Sequence, residues 1–307
     1  MPNVVFVAPY LLETTLRFVQ AVADQPDTRL ALVTQEAAEA IPAALRAQLA
    51  LVVRSKDALD PTVVAQDVRS VIAQLGPVHR LLGALEELQV PLGEVRAQLG
   101  IPGMTGTTAR NFRDKARMKE VLRAQGLPCA RHRRVRTAAE ARAFAAQVGY
   151  PLIVKPTEGS GARNTFRVED EAQLDETIAL GARDGETLLE EFVHGEESSF
   201  DSVFRRGRME WFSTCHYIPG PLEVLEKPWI QWCVLIPREA RHPRYFDIAA
   251  IAERALRALG MEDGLSHLEW FRRPDGSVAI SEVGARPPGA QFVSLMSYAY
   301  ATDMYQT

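Results

Sequence analysis

The N-terminal third of the chain alternates short apolar runs with amphipathic stretches, and that alternation restricts the fold more than any other feature. Val4 to Ala8, Leu30 to Val33 and Val78 to Leu82 read as buried strands, with Leu49 to Val53 as a further candidate. Between them, Thr14 to Ala23, Pro61 to Leu75 and Val90 to Leu99 carry apolar residues at helical spacing. Pro61 suits a first helical turn and Gly76 a stop. Alternating βα units call for a parallel sheet covered by helices. The first βα turn, Ala8-Pro9-Tyr10-Leu11, lacks GxGxxG, which argues against a dinucleotide site.

Ile101-Pro102-Gly103 ends that pattern. A linking helical segment, Thr107 to Gly126, follows, with Asp114 as a candidate N-cap. Lys115 and Lys119 lie one turn apart on it and, taken alone, read as solvated. Thr137 to Glu140 is a capping box opening a helix that ends at Gly149. Tyr150 to Pro156 reads as a strand with Lys155 near its end, and Thr165 to Val168 as its return. The loop between, Thr157 to Asn164, contains Gly159-Ser160-Gly161. It does not match GxxxxGK[ST]. Either a plain hairpin or a loop whose N–H groups approach phosphate accounts for it. A helix from Asp170 to Leu180 comes next, then strands at Thr187 to Val193, Ser198 to Phe204 and Met209 to Tyr217. Ile218 to Pro228 reads as loop, Ile230 to Ile236 as strand, and His242 to Leu259 as a helix stopped by Gly260.

The stretch Ser266 to Gly289 reads as a hairpin turning at Pro274-Asp275-Gly276-Ser277. With those four residues as the loop, Arg273 faces Val278, Phe271 faces Ile280 and Glu269 faces Glu282. Directly opposed carboxylates repel, and a cation between them is the cheapest way to keep both. Mg²⁺ takes such oxygens together with substrate phosphates. A one-residue slip puts the two acids on opposite faces, so a solvated hairpin stays open as the plain alternative. Arg286 follows within a turn of small residues. His267, two residues from Glu269, shares its face.

The chain has 307 residues, room for roughly two domains. A net charge of −4 with no basic domain argues against nucleic acid as a partner. Arg131 to Arg134 reads as solvated surface or a local anion contact. Cys129, Cys215 and Cys233 form no CxxC pair, which fits a reducing compartment, each as a small buried hydrophobe. No signal-peptide pattern and no run of 18 apolar residues occurs, so the expectation is a cytoplasmic protein without a membrane partner.

Taken in order, the pieces resemble one family. Lys115 follows an Asp; then come Lys155-Pro156, the Gly-Ser-Gly loop, Glu190-Glu191-Phe192-Val193 and Gly195-x-Glu197, and last Glu269 and Glu282 with Arg286 behind them. The set, from about Ile101 to the C-terminus, is similar to the ATP-grasp superfamily, within it the carboxylate–amine ligases of the D-alanine–D-alanine and L-amino-acid type. The resemblance implies an α/β protein: a parallel-sheet βα domain over residues 1–105, then an ATP-grasp fold over 106–307. That fold is expected to join an α+β lid subdomain, about 128–193, to an antiparallel-sheet core. The implied reaction joins a small-molecule carboxylate to an amine through an acyl phosphate, releasing ADP and phosphate. A carboxylase-like ligation of bicarbonate and a non-catalytic ATP-binding module are the alternatives.

The implied roles follow by position. Lys115 and Lys155 hold the ATP phosphates, and Ser160 and Gly161 lie in the lid over them. Glu190 to Val193 line the adenine edge, with backbone groups of Glu191 and Val193 reading the base. Glu197 takes the ribose hydroxyls. Glu269 and Glu282 hold Mg²⁺, with Mn²⁺ as a possible substitute, and Arg286 steadies the acyl phosphate. His216, His267, Glu223 and Glu226 are further substrate-contact candidates, and Trp229 and Trp232 either wall the pocket or pack in the core. A homodimer is a possible assembly. Two departures stand out. Relatives usually carry Asn two residues past the second metal carboxylate, where this chain has Gly284. The chain also stops at Thr307, soon after a helix expected over Ala290 to Ala301, so a compact variant or a truncated grasp domain is expected.

Overall fold

The computed structural model describes residues 1–159, 164–181 and 186–306. The chain forms two compact units. The first is Met1–Arg110 with Glu262–Leu265 and Ala285–Thr307; the second is Asn111–Met261 with Ser266–Gly284.

In the first unit, β1 (Asn3–Val7), β2 (Arg29–Thr34), β3 (Leu51–Arg54) and β4 (Val78–Leu82) form a sheet of order β3-β2-β1-β4. Every described pairing in it is parallel. The helices are α1 (Glu13–Ala23), α2 (Ala43–Gln48), α3 (Pro61–Leu75) and α4 (Gln89–Leu99), followed by α5 (Gly106–Arg113) at the unit boundary. Alternation along each strand divides the core. Val5, Val7, Ala31 and Val33 pack with Val64, Val68, Val71, Leu92 and Val95 of α3 and α4. Val4, Phe6, Leu30 and Leu32 pack with Val19 of α1 and Leu45 of α2. Both faces are covered, which is why the central strands β1 and β2 are mostly apolar, while edge strand β4 exposes His79 and Arg80. Asp60 caps α3, accepting from the N–H groups of Thr62 and Val63.

The second unit holds two sheets. Its elements in order are α6 (Lys115–Ala124), β5 (His132–Val135), α7 (Ala138–Val148), β6 (Leu152–Pro156), β7 (Phe166–Val168), α8 (Glu171–Gly181), β8 (Thr187–Glu191), β9 (Glu196–Arg205), β10 (Arg208–Ile218), α9 (Pro221–Glu226), β11 (Cys233–Leu235), α10 (Phe246–Leu259), β12 (Gly264–Arg272) and β13 (Val278–Gly284). The smaller sheet has order β5-β8-β6-β7. One face, with Leu152, Val154 and Leu189, packs on Phe144 of α7 and Leu174 and Ile178 of α8. The capping box at Thr137 and Glu140 is formed, fixing where α7 begins. The larger sheet has order β11-β10-β9-β12-β13.

Several sequence expectations need correction. Residues read as loop before Pro228 contain α9, started by Pro221 at its first turn. The strand expected at Ile230 to Ile236 is only Cys233–Leu235, at the sheet edge. Trp229 is 79% exposed, so it is not core. Cys233 is exposed too, not a buried hydrophobe. The β12–β13 hairpin keeps Glu269 opposite Glu282, but Phe271 faces Ala279, not Ile280, and Arg272, not Arg273, faces Val278. The cause is an irregularity between Glu269 and Trp270: Trp270 already pairs with Ile280, which leaves Ser281 as the extra residue of a β-bulge.

Candidate nucleotide-binding site

Six elements of the second unit bring the charged residues together. Asp114 caps α6 by accepting from the N–H groups of Ala116 and Arg117 at 3.0 and 3.1 Å. The cap fixes Lys115 at the first helical position, and Lys119 follows one turn later on the same face. Neither is solvated: Lys115 is 5% exposed and Lys119 0%. That overturns the plain reading of the pair, whose helix buries Met118 and Leu122 beside them. The Lys115 ammonium lies 3.0 Å from Glu282 Oε1 and donates to the Gly159 carbonyl at 2.7 Å. Its backbone N–H donates to Thr157. One lysine therefore ties the start of the glycine-rich loop to the carboxylate hairpin. Ser160 and Gly161 lie outside the described residues.

The smaller sheet presents Lys155 and Glu190 on the face opposite α7 and α8. In its register Ile153 faces Glu190 and Lys155 faces Leu188, so Lys155 and Glu190 are diagonal neighbours. Lys155 Nζ is 3.1 Å from Glu190 Oε2. Lys119 Nζ is 3.2 Å from Glu190 Oε1 and donates to the Ser281 carbonyl at 2.6 Å. The Glu190 carboxylate is thus enclosed by two ammonium groups, not turned outward with the hinge residues that follow it. Burial works against ionised Glu190, but Lys119 and Lys155 outweigh it and hold its pKa below the ordinary range. Burial likewise works against the Lys155 ammonium, and Glu190, then Glu282, outweigh it and raise its pKa. For Lys119 burial wins, with Glu190 opposing, and its pKa falls.

After Glu190 the chain bends through Glu191, Phe192, Val193 and His194. Glu191 accepts from Arg131 at its backbone N–H and forms an ion pair with Arg273 at 3.1 Å, while Arg131 also pairs through its side chain. The basic run Arg131 to Arg134 is therefore partly engaged locally, Arg134 by Asp114 and Glu186. The Glu191 N–H donates to Arg131. Gly195 is required by space, because a Cβ there would lie 2.4 Å from the Arg272 carbonyl oxygen. Gly220 gives room to Glu197, whose Oε2 would meet a Cβ at 2.7 Å.

On the larger sheet, Glu197, Ser199 and Asp201 of β9 point to one face by strand alternation. On that face Asp201 Oδ1 lies 2.7 Å from His267 Nδ1, and Ser199 donates to Asp201 Oδ2 at 3.0 Å. His267 Nε2 lies 3.6 Å from Glu269 Oε1. Glu282 stands opposite Glu269 across the hairpin. Burial, then Glu269, pushes the Glu197 carboxyl up to about 8 even though Lys155 opposes. Glu269 and Glu282, directly opposed with Lys115 on Glu282, are a donor pair suited to a hard divalent ion. Among the described residues no three His, Cys, Asp or Glu groups form a cage for a metal. Two carboxylates with the remaining positions left to phosphate and water is how Mg²⁺ is usually held, so the residues fit that ion.

Other candidates fall elsewhere. Arg286 belongs to the first unit, where its Nε donates to Glu86 at 3.0 Å. His216 bonds Ser198 at 3.0 Å and the Tyr245 hydroxyl at 2.8 Å. Glu223 is exposed and paired with Lys227, and Glu226 is exposed. Lys119 was noted in the sequence only as solvated, and Ser199 and Asp201 were not noted at all. For the last two, period-two spacing from Glu197 was the available signal.

Residues 120–300 match the ATP-grasp domain model, more than half of the chain. This protein belongs to the ATP-grasp family. It is 25% identical over 258 residues to the L-arginine-specific L-amino acid ligase of Bacillus subtilis, a match covering 82% of this chain and 61% of that relative. Over 88 residues it is 42% identical to the D-alanine–D-alanine ligase B of Xanthomonas campestris pv. campestris, covering 27% of this chain and 28% of the relative. An uncharacterized protein, y4rH, of Sinorhizobium fredii is 27% identical over 262 residues, and this chain spans 52% of its length. The crystal structure of an L-amino acid ligase from Bacillus licheniformis has the same fold, with TM-score 0.80 and 20% identity, covering all of this chain and 72% of that one. An ADP complex of N5-carboxyaminoimidazole synthetase from Staphylococcus aureus is similar at TM-score 0.74 and 14% identity, covering 96% of this chain and 73% of that one. The chain thus spans about three fifths of one curated relative and half of another. Among the described residues no helix is long and apolar enough to cross a membrane.

Proposed function

We propose that this chain is an ATP-dependent ligase that joins a carboxylate to an amine through an acyl phosphate. The observation that carries the reading is Lys115 in contact with Glu282, which stands opposite Glu269 across the hairpin, with Lys155 raised in pKa, against burial, by Glu190 and by both of these acids. Phosphoryl transfer needs little from a protein besides positioning and charge, and Lys115, Lys155, Glu269 and Glu282 supply both.

In this reading Lys115 and Lys155 draw the phosphates in. Lys115 exchanges Glu282 for a phosphate oxygen as the nucleotide arrives. Glu269 and Glu282 hold Mg²⁺, which when bound neutralises the β- and γ-phosphate oxygens. Glu190 keeps Lys155 in place while the backbone at Glu191 and Val193 borders the base, and Glu197 takes the ribose. Arg286 is proposed as the partner of the substrate carboxylate, since a guanidinium fork suits it. Gly284, in place of a side-chain ligand, favours a second reading, a module that binds ATP without turning it over.

The test is ADP release from Mg-ATP with panels of carboxylates and amines, beside thermal stabilisation by Mg-ATP alone. ADP release that needs both an acid and an amine is expected. Release driven by bicarbonate without an amine supports carboxylase-like ligation, and stabilisation without any release supports the non-catalytic module. Lys155→Met should remove most of the stabilisation, since ligand binding to the native state is what produces it. An unchanged shift in that variant sinks the phosphate assignment.

A further inference from the structure

We propose that Lys119 is a positioning residue for the nucleotide phosphates: it neutralises Glu190 so that the charge of Lys155 stays available to them. This rests on the reading of the site given above.

Lys119 touches no solvent, unlike Lys115 and Lys155. A buried ammonium is expensive unless paired, and its position is therefore fixed by its partners. Those partners are Glu190 Oε1 at 3.2 Å and the Ser281 carbonyl at 2.6 Å. The carbonyl is available because Ser281 is the extra residue of the β13 bulge, the one that pairs with nothing across the hairpin. Its neighbour in sequence is Glu282. One side chain thus joins the strand bearing the metal carboxylate to the strand bearing Glu190.

The charge count gives this link its purpose. Lys155 is in direct contact with one carboxylate, Glu190, at 3.1 Å, with Glu282 and Glu269 acting on it from further off. If those two were alone, they would form a neutral pair and offer little attraction to a polyanion. Glu190 has a second buried cation, Lys119, on its other oxygen. Two ammonium groups around one carboxylate leave a net single positive charge, and Lys155 is the less buried of the two lysines. Lys119 meanwhile cannot reach solvent, and so acts through Glu190 and not by touching the nucleotide. A carboxylate on Lys155 keeps the lysine oriented, and the second lysine prevents that carboxylate from cancelling it.

The test is the affinity of the full chain for a non-hydrolysable Mg-ATP analogue, measured by calorimetry, in four proteins. Lys119→Met should weaken binding at least ~10-fold, a rough figure for one unit charge at this range in partly screened surroundings. Lys119→Met combined with Glu190→Gln removes both the cation and the anion it serves, and should restore affinity to within about 3-fold of the wild type. A side chain that matters only for packing gives the opposite pattern, with the double variant at least as weak as the single. Lys119→Met at wild-type affinity, or a double variant as weak as Lys119→Met, overturns the proposal. If Lys119→Met does not fold, the double variant against wild type decides alone: near-native affinity supports it and a ~10-fold loss overturns it. Lys155→Met is the control that separates the two failures. Wild-type chain that does not bind the analogue, or a Lys155→Met chain that binds it normally, refutes the site reading itself.

Discussion

Lys115 and Lys119 are one turn apart on the same face of α6 and end in opposite surroundings. Around Lys119 lies a dry cluster of two lysines and one glutamate. At Lys115 the balance reverses, with Glu282 in contact and Glu269 opposite it across the hairpin, both partly open to solvent. The buried end has an excess of positive charge, and Lys119 there touches no solvent. The open end has an excess of negative charge and can accept a cation from solution. The difference teaches that two residues with the same sequence signature do different work: one holds a fixed field, the other makes an exchangeable contact.

Four experiments strain that contrast. The largest effect should come from Glu190→Ala, which leaves two buried ammonium groups unpaired. A loss of about 3–5 kcal/mol of folding stability is expected by denaturant titration, and a loss under about 1 kcal/mol would mean the cluster is not dry. Next is Glu282→Gln, at the open end. It should leave the fold nearly intact and lower ADP release by ~100-fold or more; native ADP release would remove the metal assignment. Glu269→Gln should match it, with the double variant costing less than the product because both serve one ion. A smaller effect is expected from Lys115→Met, which frees Glu282. Nucleotide-free Mn²⁺ binding, followed by paramagnetic resonance, should tighten a few-fold by the removal of one competing charge. Equal Mn²⁺ affinity would show that Lys115 and Glu282 do not exchange.

The smallest concerns His132, which stands opposite Glu190 across β5 and β8. Burial, then Lys119, lowers its pKa to about 4 from 6.5. The unfolded chain therefore takes up its proton first on acidification. The contribution of neutral His132 is complete above about pH 6.5 and is lost as pH falls toward 4. His132→Gln should flatten the stability curve within that window. A curve as steep as the wild type's would leave His132 out of the cluster's electrostatics.

Legibility followed how local each signal was. The βα alternation, the Asp114 cap and the Thr137 capping box depend on neighbours in sequence, and the structure contains each of them. The facing of Glu269 and Glu282 was readable from the hairpin turn, while the rest of that register was not. One extra residue beyond the turn shifted every pair from Trp270 onward. Burial of Lys119 depends on Glu190 and Ser281, far away in the chain, so helical spacing alone favoured solvent. Residues 285–307 follow the carboxylate hairpin directly yet group with the N-terminal unit, a long-range choice that no local pattern records.

The Ser281 bulge also makes the hairpin a ruler of fixed length. Side chains on a strand change face with every residue added or removed. Between Arg272 and Val278 the chain only turns, and residues inserted around Asp275 extend the tip without moving either acid. Between Ile280 and Glu282 there is no such freedom. Deleting Ser281 would regularise the ladder with Glu282 still opposite Glu269, and withdraw the carbonyl that Lys119 holds. Length variation among close homologues should therefore gather at the tip and be missing from the three residues Ile280, Ser281 and Glu282, whatever their side chains.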